Sequence, residues 1–88
     1  MKHLNIKIYG LVQGIFFRTT AKEQADKLEL TGFAKNIPDG SVYIEVEGEN
    51  SKLNKFVKWC HFGPSMARVE KVTATSDKLK DFSQFEIR

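Results

Sequence analysis

The sequence predicts an α+β sandwich in which an antiparallel sheet carries two helices on one face. Several segments alternate apolar and polar residues, which is the pattern of half-buried strands. Two longer segments repeat apolar residues every three or four positions, which is typical of amphipathic helices. These patterns follow one another as β-α-β-β-α-β with a short extra strand at the end, which is the order of a ferredoxin-like split βαβ fold.

The first strand, the loop after it and the first helix open this pattern. Alternation of apolar and polar residues predicts a strand over residues 4–9. A loop with Gly10 and Gly14 at its two ends follows the strand. The first helix then presents an apolar stripe at helical spacing, made of Phe17, Ala21, Ala25 and Leu28.

The residues around the first helix predict where it begins and ends. Thr20 followed by Glu23 has the spacing of a capping box. Gly32 is placed to end the helix as a C-terminal cap. A short strand over residues 33–37 then meets Pro38-Asp39-Gly40, whose residue types predict a hairpin turn.

The returning strand, over residues 42–48, has an apolar and a more polar face. Ser51 is placed to cap a second helix, which Gly63-Pro64 terminates. The apolar strand face comprises Val42, Ile44 and Val46, the opposite face Tyr43, Glu45 and Glu47, and the buried helix stripe Leu53, Phe56, Val57 and Cys60.

The last part of the chain predicts two further strands. A fourth strand starts near Ala67. Its alternation of apolar and polar residues shifts by one position between Val69 and Val72, which predicts a bulge or bend. Phe85 and Ile87 mark a short last strand.

Length and composition limit the class of protein. The 88 residues predict a single domain spanning residues 1–88. Cys60 is the only cysteine, so neither an internal disulfide nor a cysteine-based zinc site is expected. The net charge of +3 is spread along the chain without a basic run, which argues against a nucleic-acid partner. No segment has the length and apolarity of a signal peptide or membrane span, so we expect a cytoplasmic protein. We also expect it to act as a monomer.

The loop between the first strand and the first helix is the segment that points to chemistry. Amides at a helix N-terminus are unpaired and lie at the positive end of the helix dipole. Gly14 permits a positive φ, so that successive amides can form a concave anion-binding nest. Arg18 follows, and its planar guanidinium can hold two phosphate oxygens. The spacing alone is equally compatible with an ordinary loop and a solvated arginine.

Two ordered motifs resemble the signatures of the acylphosphatase family. The first is Gly10-Leu11-Val12-Gln13-Gly14-Ile15-Phe16-Phe17-Arg18, in which Ile15 stands where the family more often has valine. The second is Gly32-Phe33-Ala34-Lys35-Asn36, continued by Gly40, Val42 and Gly48. Further matching positions are Phe56, Trp59, Gly63-Pro64, Ala67 and Val69, so that the resemblance covers nearly the whole chain.

The resemblance implies an activity, a set of site residues and the same ferredoxin-like fold. The activity is metal-independent hydrolysis of acyl phosphates to a carboxylate and inorganic phosphate, by direct attack of water and without a cofactor. Arg18 matches the phosphate-binding catalytic arginine, and Asn36 matches the asparagine that orients the water. The matching phosphate cradle consists of the backbone amides of Val12, Gln13, Gly14, Ile15, Phe16 and Phe17, with phosphate or sulfate as the expected site anion.

The chemistry is consistent with these residues. The leaving group is a carboxylate, which is a weak base, so no strong general acid is needed. What remains is to hold the phosphoryl group, spread its charge and aim a water in line. Main-chain amides and Arg18 can stabilise the charge, and the Asn36 amide can hold the water. Asn36 is a poor base, so we expect the phosphate of the substrate to accept the proton.

Three other readings of the sequence stay open. The chain would otherwise be a non-catalytic ferredoxin-like module that binds RNA or a small anion, or the head domain of a larger protein that processes carbamoyl phosphate. Tyr9 and Tyr43 would stack bases in the RNA reading, although the aromatic runs of RNA-recognition domains are absent. Cys60-His61 would be a thiol nucleophile, but the helix stripe favours a buried structural thiol.

Overall fold

The computed structural model describes residues 1–88 and contains five strands and two helices. The elements are, in chain order, β1 (Lys2–Leu11), α1 (Phe17–Lys27), β2 (Thr31–Asn36), β3 (Val42–Gly48), α2 (Asn50–Cys60), β4 (Arg68–Asp77) and β5 (Phe85–Ile87). Neither helix has the length and apolarity needed to cross a membrane.

The strands form one sheet in the order β4-β1-β3-β2-β5. β1 is antiparallel to both β3 and β4, and β2 is antiparallel to β3. β5 is parallel to β2, so the prediction of an antiparallel sheet is wrong at this edge. β4 ends beside the start of β1, at the end of the sheet where β2 begins. The chain therefore crosses the sheet through residues 78–84 and enters β5 in the direction of β2.

The core lies between one face of the sheet and the two helices. The predicted apolar faces of β1, β3 and both helices all point into it, which confirms the assignment of two helices to one face. Phe56 packs its ring near those of Trp59 and Phe85, at centroid distances of 6.0 and 6.2 Å. The largest fully buried side chains are Phe17, Phe56, Phe85, Ile6, Ile8, Ile44 and Leu53.

The opposite face of the sheet is covered at one end by residues 78–84, here called the covering segment. Glu45 and Glu47 are buried, with 7% and 3% of their surface exposed, and so is His3 with 1%. The polar face predicted for β3 is therefore not a solvent face. Phe82 of the covering segment stacks on the His3 ring at 6.1 Å between centroids.

The predicted helix boundaries need three corrections. α1 begins at Phe17, and the Thr20 hydroxyl bonds back to the Phe16 carbonyl, so the capping box with Glu23 does not form. Gly32 lies in β2, because α1 already ends at Lys27. Ser51 lies one residue inside α2, whose N-cap is Glu49.

The predicted irregularity of β4 is confirmed as a β-bulge. Tyr9 pairs with Lys71, but Gly10 pairs with Val69, so Glu70 is the extra residue on β4. The bulge shifts the alternation of apolar and polar residues in β4 by one position between Val69 and Val72, as the sequence indicated. It also lies at the end of β1 that leads into the loop.

Candidate active site

Residues 12–16 connect β1 to α1 and form a loop rich in free amides. The chain turns at Gly14 with φ 76° and again at Phe16 with φ 64°. No main-chain amide from Val12 to Thr19 donates a hydrogen bond within the protein, and the first helical bond runs from Thr20 N to Phe16 O. The last of these free amides lie at the positive end of the α1 dipole. The loop is therefore a concave set of donors suited to an anion.

Phe16 holds a left-handed conformation that glycine usually occupies. For a residue with a side chain this costs about 1–2 kcal/mol. Its carbonyl accepts hydrogen bonds from Thr20 N at 3.0 Å and from Thr20 Oγ1 at 2.8 Å, which fix the peptide. The ring is 77% exposed, so the strain is not offset by burial of the side chain. Strained residues of this kind concentrate at functional sites.

The Gln13 side chain ties the loop to the turn between β2 and β3. Its Nε2 donates to the Ile37 carbonyl at 2.8 Å and to the Ser41 carbonyl at 2.9 Å. The neighbouring Val12 side chain is buried in the core. These contacts fix the loop beside the end of β2, where Asn36 lies.

The turn itself is held by Asp39. Its Oδ1 accepts hydrogen bonds from the Ser41 amide at 2.9 Å and the Ser41 hydroxyl at 2.5 Å, and Oδ2 lies 3.0 Å from Lys7 Nζ. The bonds from Ser41, with that from Lys7, lower the pKa of Asp39 to about 2. The Asp39 carboxylate therefore stays charged around neutral pH and keeps its hydrogen bonds in the turn.

Arg18 lies in the first turn of α1 and Asn36 is the last residue of β2. Arg18 Nη1 donates to the main-chain carbonyl of Arg88 at 2.8 Å, which leaves its other nitrogens free for a ligand. The backbone of Asn36 is fixed by pairing with Val42 of β3, while its side chain is exposed. A fixed guanidinium and an accessible amide thus border the same loop.

These residues line one cleft of about 240 Å³. The structure brings together most of the predicted site, namely Val12, Gly14, Phe16, Phe17, Arg18 and Asn36, together with Thr19 and Ile87. Gln13 and Ile15 do not line it; Gln13 supports the loop from the side instead. None of the residues that line the cleft has a carboxylate side chain.

No sequence pattern indicates that β5 contributes to the cleft. Ile87 lines the cleft and the Arg88 carbonyl holds Arg18, although both residues are far from the loop along the chain. A main-chain carbonyl can be supplied by any residue type, so no side-chain pattern could have indicated this contact. Only the parallel pairing of β5 with β2 places it there.

The other candidate groups lie away from the cleft. Cys60 is fully buried, and burial raises the pKa of its thiol well above the usual range. His61 Nδ1 contacts the Val57 carbonyl at 2.9 Å and is exposed. The thiol is therefore a core side chain, as the helix stripe predicted.

The tyrosine rings on the sheet face opposite the helices contact lysine side chains. Lys7 and Lys71 place their ammonium groups 5.2 and 5.5 Å from the Tyr9 ring centroid. Lys35 lies 5.8 Å from that of Tyr43. These cation–π contacts compete with stacking of bases on the rings, which disfavours the RNA-binding alternative.

Comparisons with known proteins show which family the chain resembles. The sequence model of the acylphosphatase family matches residues 4–87. An acylphosphatase of Anaeromyxobacter dehalogenans is 43% identical over 94% of this chain and 90% of its own. The crystal structure of acylphosphatase from Bacillus subtilis is 34% identical, with a TM-score of 0.97 over 100% of this chain and 99% of that one. The chain also resembles 12% of full-length HypF, at 28% identity and a TM-score of 0.89.

Proposed function

This chain belongs to the acylphosphatase family and hydrolyses acyl phosphates, and we propose that Arg18, Asn36 and the loop amides carry the reaction. One observation supports this assignment most. The main-chain amides from Val12 to Thr19 donate no hydrogen bond within the protein, and they border a cleft that also contains Arg18 and Asn36. Preorganised donors of this kind stabilise developing negative charge without reorganising during the reaction.

The phosphoryl group of the substrate binds in the loop. Its oxygens accept hydrogen bonds from the free amides, as anions do at helix N-termini. Gln13 holds the loop in shape through its two bonds to the neighbouring turn. Inorganic phosphate and sulfate have the same oxygens, so both are expected to compete with the substrate.

Arg18 supplies the positive charge. Its Nη1 is held by the Arg88 carbonyl, so the guanidinium is oriented before the substrate arrives. The free nitrogens then pair with the equatorial phosphoryl oxygens, whose charge is spread in the transition state. Amides and guanidinium together provide the charge stabilisation, so the proposed reaction is independent of a metal ion.

Asn36 orients the attacking water. A carboxamide can both donate and accept a hydrogen bond, which fixes the direction of a water molecule. The leaving carboxylate is a weak base and departs without a proton, so no general acid is required. The phosphate of the substrate accepts the proton of the water. The enzyme is proposed to act in this way as a monomer in the cytoplasm.

The first prediction tests this assignment by phosphate release from acetyl phosphate in the presence of EDTA. Arg18→Ala and Asn36→Ala should each lower kcat/KM on the order of 10²–10³-fold, because each removes a preorganised donor. Arg68→Ala and Asn54→Ala are matched controls, since both residues are exposed and outside the cleft. Both controls should keep wild-type activity.

The outcomes separate the alternatives. Full activity in both cleft variants, with circular dichroism showing an intact fold, would refute the assignment of the site. Phosphate binding without turnover of any acyl phosphate would favour the non-catalytic anion-binding module. Activity that disappears in EDTA and returns with a divalent cation would refute metal independence.

A further inference from the structure

The cleft has an exposed apolar side next to its anion-binding side. Four of its lining residues have large apolar side chains, namely Val12, Phe16, Phe17 and Ile87. Val12 and Phe17 are buried in the core, whereas Phe16 is 77% exposed and Ile87 is 44% exposed. The apolar surface that a ligand can reach in the cleft therefore belongs mainly to Phe16 and Ile87.

The ring of Phe16 has no structural role in the fold. The residue has a φ of 64°, a conformation that glycine adopts without strain. The hydrogen bonds that fix it are accepted by its carbonyl, which any residue could supply. The aromatic pairs of the structure involve other rings, and the ring of Phe16 is not part of the core cluster. Neither the backbone nor the packing of the core accounts for a phenylalanine here.

Ile87 reaches the same cleft from the sheet. Phe85 and Ile87 lie two positions apart in β5, so their side chains point to the same face of the sheet. Phe85 is buried below the helices, and Ile87 pairs with Ala34, two residues before Asn36. β1, β2 and β5 run in the same direction and end at the same edge of the sheet. Ile87 thus borders the cleft from the strands and Phe16 borders it from the start of α1.

The polar side chains of the cleft leave no charge for a second polar group of the substrate. These side chains are Arg18, Thr19 and Asn36. In the proposed reaction Arg18 pairs with the phosphoryl group and Asn36 binds the water, and the Thr19 hydroxyl is uncharged. A charged acyl group would therefore gain no ion pair, whereas an apolar one would remove the exposed surface of Phe16 and Ile87 from water.

The size of the cleft limits the acyl group. Its volume of about 240 Å³ lies below the range of about 300–1,000 Å³ that is usual for sites of drug-sized ligands. A phosphoryl group with a small acyl group suits this volume. A planar ring is the acyl group that matches the exposed face of Phe16 best, because aromatic rings pair in offset or edge-to-face arrangements.

We propose that Phe16 and Ile87 form an acyl subsite that makes the enzyme select acyl phosphates with a small aromatic acyl group over acetyl phosphate. The acyl ring packs against the Phe16 ring and contacts the Ile87 side chain, while the phosphoryl group lies in the loop. The chemical step is unchanged, since water attacks phosphorus and the bond from phosphorus to the acyl oxygen breaks. This inference rests on the proposed function, because the subsite has this use only if the loop binds the phosphoryl group.

The test compares kcat/KM for benzoyl phosphate with kcat/KM for acetyl phosphate in each variant. Phe16→Ala should lower the ratio of benzoyl to acetyl phosphate about three- to tenfold, the effect of losing one aromatic pair. Ile87→Ala should lower it about two- to fivefold, because it loses part of an apolar contact. The two substrates differ in reactivity, but this difference cancels when a variant is compared with wild type. A displacement of the loop amides affects both substrates alike and cancels too.

The chain offers matched controls for both changes. Phe62 is 75% exposed and Leu79 is 45% exposed, and both lie outside the cleft. Phe62→Ala and Leu79→Ala should therefore keep the wild-type ratio. Phe16→Tyr keeps the ring and should also keep the preference for benzoyl phosphate.

Inhibition by unreactive analogues measures the same contact without the chemical step. Phenacylphosphonate and acetonylphosphonate share their phosphonate and carbonyl groups and differ in a phenyl against a methyl group. Phenacylphosphonate should inhibit wild type at the lower concentration, and this advantage should shrink in Phe16→Ala and Ile87→Ala.

An unchanged ratio in either subsite variant, with circular dichroism showing an intact fold, would overturn the proposal. An equal fall of the ratio in Phe62→Ala would overturn it as well. Arg18→Ala separates this inference from the assignment of the site, because it should lower kcat/KM for both substrates by the same factor. Strongly reduced activity of Arg18→Ala with an unchanged ratio in Phe16→Ala refutes only the acyl subsite. A fully active Arg18→Ala, or a wild type that hydrolyses neither substrate, refutes the proposed function itself.

Discussion

At the scale of single residues, the loop combines two backbone conformations that are costly elsewhere. Gly14 and Phe16 both have positive φ, and the amides around them are left without partners inside the protein. Unpaired amides at the surface lose little, because water replaces the missing acceptor until an anion does. The strain at Phe16 therefore lies where the free main-chain amides of the loop can bind an anion.

The second prediction concerns Gly14→Ala. A methyl group here would meet no atom within 4 Å, so the only penalty is the positive φ. We expect the free energy of unfolding to fall by about 1 kcal/mol and kcat/KM to fall about tenfold or more, because a small displacement of the amides misplaces the phosphoryl group. Urea unfolding and phosphate release measure the two effects.

Gly40→Ala is the matched control for this change. Gly40 also has a positive φ of 95° with open space around it, but it lies outside the cleft. It should lose a similar amount of stability and clearly less activity than Gly14→Ala, because its turn contacts the loop only through the two Gln13 hydrogen bonds. Equal losses of activity in the two variants would contradict the assignment of the loop amides.

The site residues differ in how far the sequence could predict them. The prediction of Arg18 and Asn36 depends on the resemblance of their motifs to those of a known family, because the spacing alone is equally compatible with an ordinary loop and a solvated Arg18. The place of Gly14 in the loop predicts a positive φ, and the structure has it at 76°. The contacts of Ile87 and Arg88 could not be predicted, because they depend on which strand β5 joins.

At the scale of elements, the C-terminus of α1 shows a turn that the sequence did not indicate. Leu30 N bonds to the Ala25 carbonyl at 2.8 Å and Glu29 N to the Asp26 carbonyl at 3.1 Å, which is a Schellman motif. Its left-handed residue is Glu29, with φ 57°. Glycine is usual at this position, so Gly32 was a reasonable but wrong candidate.

The third prediction follows from Glu29. Glu29→Gly should raise the free energy of unfolding by about 0.5–1 kcal/mol, because the left-handed strain is removed. Its exposed ion pair with Lys52 contributes little to set against this gain. Thermal and urea unfolding measure the change. Glu29→Gln removes the ion pair but keeps the strain, so an equal stabilisation by that variant would contradict the explanation.

The strands were easier to predict than the helix ends and the sheet edge. Alternation defines which side chains of β1 and β3 face the core, because a strand has a strict period of two. A strand of three residues such as β5 is too short for its pattern to specify a direction or a partner. The covering segment buries Glu45 and Glu47, and alternation alone does not indicate that the polar face of a strand is covered.

At the scale of the whole molecule, the sheet is covered on both faces but by different means. The helices bury one face with apolar side chains, whereas the covering segment is attached to the other largely by charged hydrogen bonds. Apolar burial depends little on pH, while the charged attachment depends on the protonation of Glu45 and Glu47. As the pH falls, the covering segment should therefore detach from the sheet before the core unfolds.

The pKa values of the two glutamates give the direction of this effect. Burial acts to raise the pKa of Glu45, but its bonds with Lys80 and Tyr43 and the charges of Lys80 and His3 outweigh it, so the pKa is lowered overall. The pKa of Glu47 is also lowered. A carboxylate whose pKa is lower in the folded than in the unfolded state stabilises the fold fully above its unfolded value, here 4.5. This stability is lost as the pH falls through the folded pKa.

The fourth prediction uses Glu47→Gln, which keeps the shape of the side chain and removes its charge. At pH 7 the variant should unfold about 1–3 kcal/mol more easily, because charged hydrogen bonds to His3 and two main-chain amides are weakened. As the pH falls below 4.5 the difference should begin to shrink, and it should approach zero once the pH is below the lowered folded pKa, where the wild-type carboxyl is protonated and resembles the amide. Urea unfolding between pH 7 and pH 3 measures it. Glu23→Gln is the control at an exposed site and should change stability little at any pH. A difference between wild type and Glu47→Gln that stays constant down to pH 3 would show that the carboxylate charge does not hold the covering segment.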